Sequence, residues 1–213
     1  MDRKAHWESV YGKKKSNEVS WYQADPALSL QLIDRVTHGR KASVIDVGGG
    51  ASRLVDRLLD RPSTEVTVLD LSGAALRETQ ARLGDGARRA TWIEGDILNV
   101  ELPKAAYDVW HDRAVFHFLT DPEDRRRYVA QVRRSVREGG HVLVATFAAD
   151  GPQKCSGLDV ARYSPAELHA QFGDEFRLLE SVSEDHVTPM GTVQKFVYCV
   201  CLVEGSKVAH QAA

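Results

Sequence analysis

The residues best placed to do chemistry form the run Val44-Ile45-Asp46-Val47-Gly48-Gly49-Gly50-Ala51-Ser52, in which a short apolar stretch runs into three glycines. In an open α/β sheet, ligands bind beyond the carboxyl ends of the strands, at the switch point beside the first strand. Consecutive glycines let the backbone turn tightly there and approach a ligand where a Cβ would collide. Two aspartates stand at the ends of later apolar runs. Asp70 closes Glu65 to Leu69, where a carboxylate can accept both hydroxyls of a ribose. Asp96 follows Ala90 to Glu94 and Gly95, placed to accept from an adenine amino group while Ile97 packs on the ring. Any one of these residues could be a cap or a turn. The ordered set, each at a strand end, points to nucleoside binding.

Those positions require a particular scaffold. Runs at Ser43–Val47, Glu65–Leu69, Ala90–Glu94, Tyr107–Trp110 and His141–Phe147 alternate with helical patterns. This predicts an α/β, Rossmann-like doubly wound sheet. Ser72 is an N-cap, Asp121-Pro122 opens a helix that ends near Gly139-Gly140, and Ser164-Pro165-Ala166-Glu167 has capping-box spacing before a stop at Gly173. Phe176–Val187 and Lys195–Val203, joined by Thr188-Pro189-Met190-Gly191, must be antiparallel. The expected sheet is thus mostly parallel, with seven strands ending in a C-terminal antiparallel hairpin. Residues 1–39, with a helix from Asp25-Pro26, form a helical lead-in covering the site. Residues 40–204 form the main domain, and 205–213 a mobile tail.

Composition narrows the partners. With 28 basic and 30 acidic residues among 213, the net charge is −2, and the basic runs are short. Nucleic acid as the main partner is disfavoured. No run approaches the roughly 18 apolar residues of a membrane span, and Met1–Val10 lacks the apolar core of a signal peptide. The three cysteines show no metal-ligand spacing. Cys199 and Cys201 share one face of a strand, which reads as buried thiols in a reducing, cytoplasmic setting. No metal is expected, and the oligomeric state is left open.

The chain resembles class I S-adenosylmethionine (SAM)-dependent methyltransferases, whose first motif is an acid, any residue, Gly, any residue, Gly. Here it reads Asp46-Val47-Gly48-Gly49-Gly50. The resemblance covers roughly residues 40 to 203. It departs at Gly49, where Cys, Ser or Ala is commoner, and at Ser52, where many members have Gly. It implies that Gly48 and Gly50 line the methionine part of SAM with Asp46 near its ammonium, that Asp70 holds the ribose, and that Asp96 and Ile97 hold the adenine. The full donor set expected is Trp21, Asp46, Gly48, Gly49, Gly50, Asp70, Leu71, Asp96, Ile97 and Asp112.

His111 and Asp112, just past the fourth strand, are the candidate catalytic bases; Asp112-Arg113 could equally be a structural ion pair. Arg113, Lys154 and Tyr163 are candidate acceptor contacts. The stretch 151–158 is a candidate lid, His117 a packing residue, and His186 an exposed one. Trp110-His111-Asp112-Arg113-Ala114 looks like the Trp-Asp-Arg-Gly of thiopurine-type methyltransferases. The lead-in His6-Trp7-Glu8, Tyr11 and Trp21-Tyr22 is similar to that of small protein-lysine methyltransferases, and its aromatics can face a sulfonium. Small-molecule and protein side-chain acceptors therefore both stay open. A non-catalytic SAM-binding regulator is the main alternative. A nicotinamide oxidoreductase is weaker, because its third glycine would fall at Arg53.

Overall fold

The protein is described here from a computed structural model, which places residues 2–61 and 64–205. The strands are β1 (Ala42–Val47), β2 (Thr64–Asp70), β3 (Ala90–Glu94), β4 (Tyr107–Arg113), β5 (Val136–Phe147), β6 (Lys154–Cys155), β7 (Leu158–Asp159), β8 (Phe176–Val187) and β9 (Val193–Val203). Seven of them form one sheet in the order β3-β2-β1-β4-β5-β9-β8. β1 to β5 run parallel, while β9 pairs antiparallel with both β5 and β8. The chain order reverses at β1, so β2 and β3 lie on one side of the switch point and β4 and β5 on the other.

The helices are α1 (Arg3–Lys13), α2 (Ala27–Thr37), α3 (Leu54–Leu59), α4 (Gly73–Leu83), α5 (Pro122–Ser135) and α6 (Pro165–Ala170). Strand alternation sorts the core into two layers. Ile45, Val47 and Trp110 pack with Tyr128 and Val132 of α5. Val44, Val66, Val68 and Val109 pack with Leu54 and Leu58 of α3 and with Leu30, Leu32 and Ile33 of α2. The expected caps form: Ser72 accepts from the Ala75 amide, Asp121 from Glu123, and Ser164 from Glu167 in a reciprocal box.

The backbone corrects two expectations, the end of α5 and the end of β4, and gives the 151–158 stretch a shape. α5 ends at Ser135, not near Gly139, and β5 starts at once at Val136. β5 then bulges between its Tyr107–Val136 and Val109–His141 pairings, with Gly139 at φ +76 supplying the irregular turn. The 151–158 stretch holds a small β6–β7 ribbon, turned through Ser156 (φ +51) and Gly157 (φ +80), the positive-φ pair that a two-residue hairpin requires. β4 runs three residues longer than expected, to Arg113. His111, Asp112 and Arg113 are therefore strand residues pointing alternately to opposite faces. The tail expectation falls on residues 206–213, outside the described residues apart from Gly205.

Candidate active site

The β1 tip is shaped by Gly48, whose φ of +74 a side chain rarely adopts. Its amide donates to Leu69 O at 2.7 Å, and a Cβ there would stand 2.1 Å from Val115 Cγ2. Gly50 has a different task from the one expected. Its amide donates to Asp70 Oδ2 at 2.9 Å, and a Cβ would come within 2.6 Å of that oxygen. Gly50 thus lets the loop close on Asp70, and it lines neither of the two cavities at these strand tips.

Asp70 also accepts from the Ser72 amide at 2.8 Å. Its burial outweighs both bonds and pushes the carboxyl up to about 6. Asp96 accepts from the Leu98 amide (3.0 Å) and from Asn99 Nδ2 (2.9 Å), which orients its carboxylate at the β3 tip.

Asp46 is 2% exposed. Its Oδ1 lies 2.7 Å from His111 Nδ1, and His111 Nε2 lies 2.9 Å from Ser29 Oγ of α2. The second carboxylate oxygen, Oδ2, is buried without a hydrogen-bond partner. An unpartnered buried anion is costly unless a donor completes it.

Two adjoining cavities open at these tips. The larger, about 790 Å³ with its mouth included, is lined by Gly48, Asp70, Leu71, Asp96, Ile97 and the β4–β5 side residues Ala114, Val115, Phe118, Leu119 and Cys155. The smaller is lined by Ser29, Asp46, Gly48, Gly49, Arg53 and His111, among others. Tyr11, Trp21, Gly48 and Arg113 line both. From α1, Trp7 meets Trp21 edge-to-face at 5.6 Å and Phe118 at 5.2 Å, forming an aromatic cover. Lys4–Glu94 and Arg3–Asp124 ion pairs tie the same helix down.

The remaining candidates sit elsewhere. Asp112 is fully buried on the opposite face from His111 and lines neither cavity. It accepts from the Tyr128 hydroxyl and from the Val115 and Phe116 amides, so it cannot meet an acceptor or the donor. Burial pushes it up to about 6. What it holds is the turn after β4, where Ala114 has φ +75.

Arg113 does reach both cavities, but its donors are engaged: Trp21 O at 3.0 Å, Tyr198 OH at 3.0 Å and Glu184 at 3.2 Å. It also lies 4.2 Å over the Phe196 ring. It therefore fastens the lead-in to the hairpin, and its pairing partner is Glu184 where Asp112 was the sequence-based candidate.

Lys154 is exposed, paired with Asp159, and lines neither cavity. Tyr163 is 6% exposed and packs on Phe116 in the core. His117 is fully buried between Phe118 and Phe147, and burial pushes it down to about 3. His186, expected at the surface, is 5% exposed and donates to Ser20 O at 2.7 Å, because the lead-in folds over the hairpin. Cys199 and Cys201 are buried as expected. Sequence reasoning missed Ser29, whose signal was a hydroxyl within the apolar face of α2. It also missed the cleft walls Val115 and Phe118; Cys155, which lines the same cavity, lies in the 151–158 stretch considered as a lid.

Comparisons with known proteins follow this geometry. A family profile described as "Methyltransferase domain" matches residues 44–140. The chain is 27% identical over 154 residues to a malonyl-[acyl-carrier protein] O-methyltransferase of Paenibacillus sp. (strain JDR-2), covering 70% of this chain and 52% of the relative. It is 25% identical over 149 residues to an eEF1A lysine and N-terminal methyltransferase of Bos taurus, covering 67% and 21%. The chain thus spans about half, or less, of the length of these relatives. In fold it is similar to the N-methyltransferase NodS from Bradyrhizobium japonicum WM9, solved with S-adenosyl-L-homocysteine (SAH). The TM-score is 0.70 at 14% identity, covering 93% of this chain and 98% of that one. Among the described residues, no helix is long and apolar enough to cross a membrane. The acid-glycine turn at the β1 tip lies within the stretch that matches the methyltransferase-domain profile, and the seven-stranded sheet that carries it is similar in fold to that N-methyltransferase.

Proposed function

We propose that this chain binds SAM across the two joined cavities and catalyses methyl transfer to an acceptor, either a small molecule or a protein side chain. The carrying observation is the buried, half-satisfied carboxylate of Asp46 on the cavity wall, one loop away from the buried Asp70. The residues present fit the group. Asp70 would accept from the ribose hydroxyls, Asp96 from the adenine amine with Ile97 and Leu71 against the ring, and Asp46 Oδ2 from the amino-acid end beside Gly48 and Gly49. Trp21 would close the cover.

When bound, SAM supplies an electrophilic methyl group. The chain's contribution is alignment and exclusion of water, which can account for much of such a rate. His111, first considered as a base, has both ring nitrogens engaged and here orients Asp46. The relatives differ in acceptor, one named for an acyl-carrier protein and one for lysine, so they support the class of reaction and leave the acceptor open. A cytoplasmic setting, expected from the three unpaired thiols, belongs to the same proposal. Calorimetry with SAM and SAH tests it: micromolar-range binding of both is expected, and no binding of either would refute it.

A further inference from the structure

Resting on that reading, the smaller cavity also bears on how the cofactor's amino-acid end is recognised. That end carries an ammonium and a carboxylate on one carbon, so a site for it needs an anion and a cation within the same small space. The anion is Asp46, whose buried Oδ2 has no hydrogen-bond partner among the described residues. Two arginines line the same cavity, Arg53 and Arg113. His111, the other basic side chain there, has both ring nitrogens engaged.

The arginines differ in what they already hold. Arg113 donates from Nε to Tyr198 OH at 3.0 Å, from Nη1 to Trp21 O at 3.0 Å and from Nη2 to Glu184 at 3.2 Å, so its charge is matched and its fork is occupied. Arg53, just ahead of α3, donates no side-chain hydrogen bond among the described residues. Its ion pair with Asp56 is long, at 3.5 Å, and that carboxylate is already gripped by Arg82 through Nε at 3.1 Å and Nη2 at 2.7 Å. Arg82 also donates to Ser52 O at 2.7 Å, which pins the turn carrying Arg53 against α4. Arg53 is therefore a largely uncommitted guanidinium on a fixed turn, in the cavity that holds the unpartnered carboxylate oxygen. A ligand carboxylate entering beside Asp46 meets like charge. The hydroxyls lining the cavity can add hydrogen bonds but no charge to offset this, whereas a guanidinium supplies both in a planar fork that matches a carboxylate.

We propose that Arg53 receives the α-carboxylate of the cofactor while Asp46 receives its ammonium, so that the smaller cavity selects the zwitterion and discriminates against a donor that has lost its carboxylate.

The test measures, by calorimetry on the full chain, the affinity for SAH and for its decarboxylated analogue, which keeps the amine and lacks only the carboxylate. A charge-assisted bond to that group should make the wild type prefer SAH by about tenfold or more. In Arg53→Gln, SAH should weaken by about that factor, while the analogue binds as before or more tightly, because a cation has been removed from beside its ammonium. Arg53→Lys, which keeps the charge without the fork, should still favour SAH. The melting temperature of Arg53→Gln should match that of the wild type, because a long, part-exposed ion pair contributes little. Equal affinity of the wild type for the two ligands would overturn the inference. So would a preference retained in Arg53→Gln, whether neither ligand weakened or both weakened together. Failure of the wild type to bind SAH at all would instead remove the methyltransferase reading beneath it.

Discussion

Replacing Asp70 by Asn tests the cofactor site through its protonation. In the folded chain Asp70 titrates near 6, against 3.8 for the free side chain, because burial outweighs the bonds from the Gly50 and Ser72 amides. That displacement corresponds to about 3 kcal/mol of unfavourable free energy carried by the ionised carboxylate. The native state takes up the proton first as pH falls, so the contribution to stability increases below pH 6 and stops increasing near 3.8. Between pH 8 and pH 5 the wild type should gain about 1.4 kcal/mol relative to Asp70→Asn, one pH unit's worth. Asp112, displaced to about the same value, is present in both proteins and cancels. Urea unfolding followed by tryptophan fluorescence at pH 5 and 8 measures this difference. Ribose hydroxyls favour the carboxylate, so SAH affinity should run the other way, falling about tenfold from pH 7 to pH 5 in the wild type. In Asp70→Asn the affinity should be nearly flat with pH and weaker by about 1.5–3 kcal/mol, the range for hydrogen bonds to a charged group. A pH-independent stability difference, or unchanged SAH affinity in the variant, would refute the assignment.

Three further outcomes follow from the same contacts. Gly48→Val places a β-branched side chain at φ +74 with its Cβ 2.1 Å from Val115 Cγ2, so SAH binding should vanish and stability fall by about 2–5 kcal/mol, read by calorimetry and thermal melting. Arg113→Gln leaves the partly buried Glu184 without its cation, with Gln23 and the Tyr198 hydroxyl still donating to it; a loss of about 1–3 kcal/mol in unfolding free energy is expected, and no loss would deny the tether. Asp112→Asn cannot serve the Tyr128 hydroxyl and the Val115 and Phe116 amides together, so it should lower stability by about 1–3 kcal/mol. In that variant SAH affinity should fall along with turnover, whereas a catalytic base would lose turnover alone.

Local signals carried much of this molecule. The acid-glycine turn after β1, the aspartates closing β2 and β3, the caps at Ser72, Asp121 and Ser164, and the antiparallel β8–β9 pair all rest on neighbours within a few residues, so periodicity and turn chemistry revealed them. Other features depended on distant partners. β4 continues to Arg113 because β5 pairs with it that far, and those added residues decide that His111 faces Ser29 and Asp46 while Asp112 faces Tyr128. Arg113 finds Glu184 some 71 positions away, and His186 finds Ser20 at a separation of 166. Side-chain type alone could nominate His111, Asp112, Lys154 and Tyr163 as site residues. Only the packed sheet, by fixing which face each strand residue points to and which donors are already satisfied, separated the cleft from the groups that hold it together.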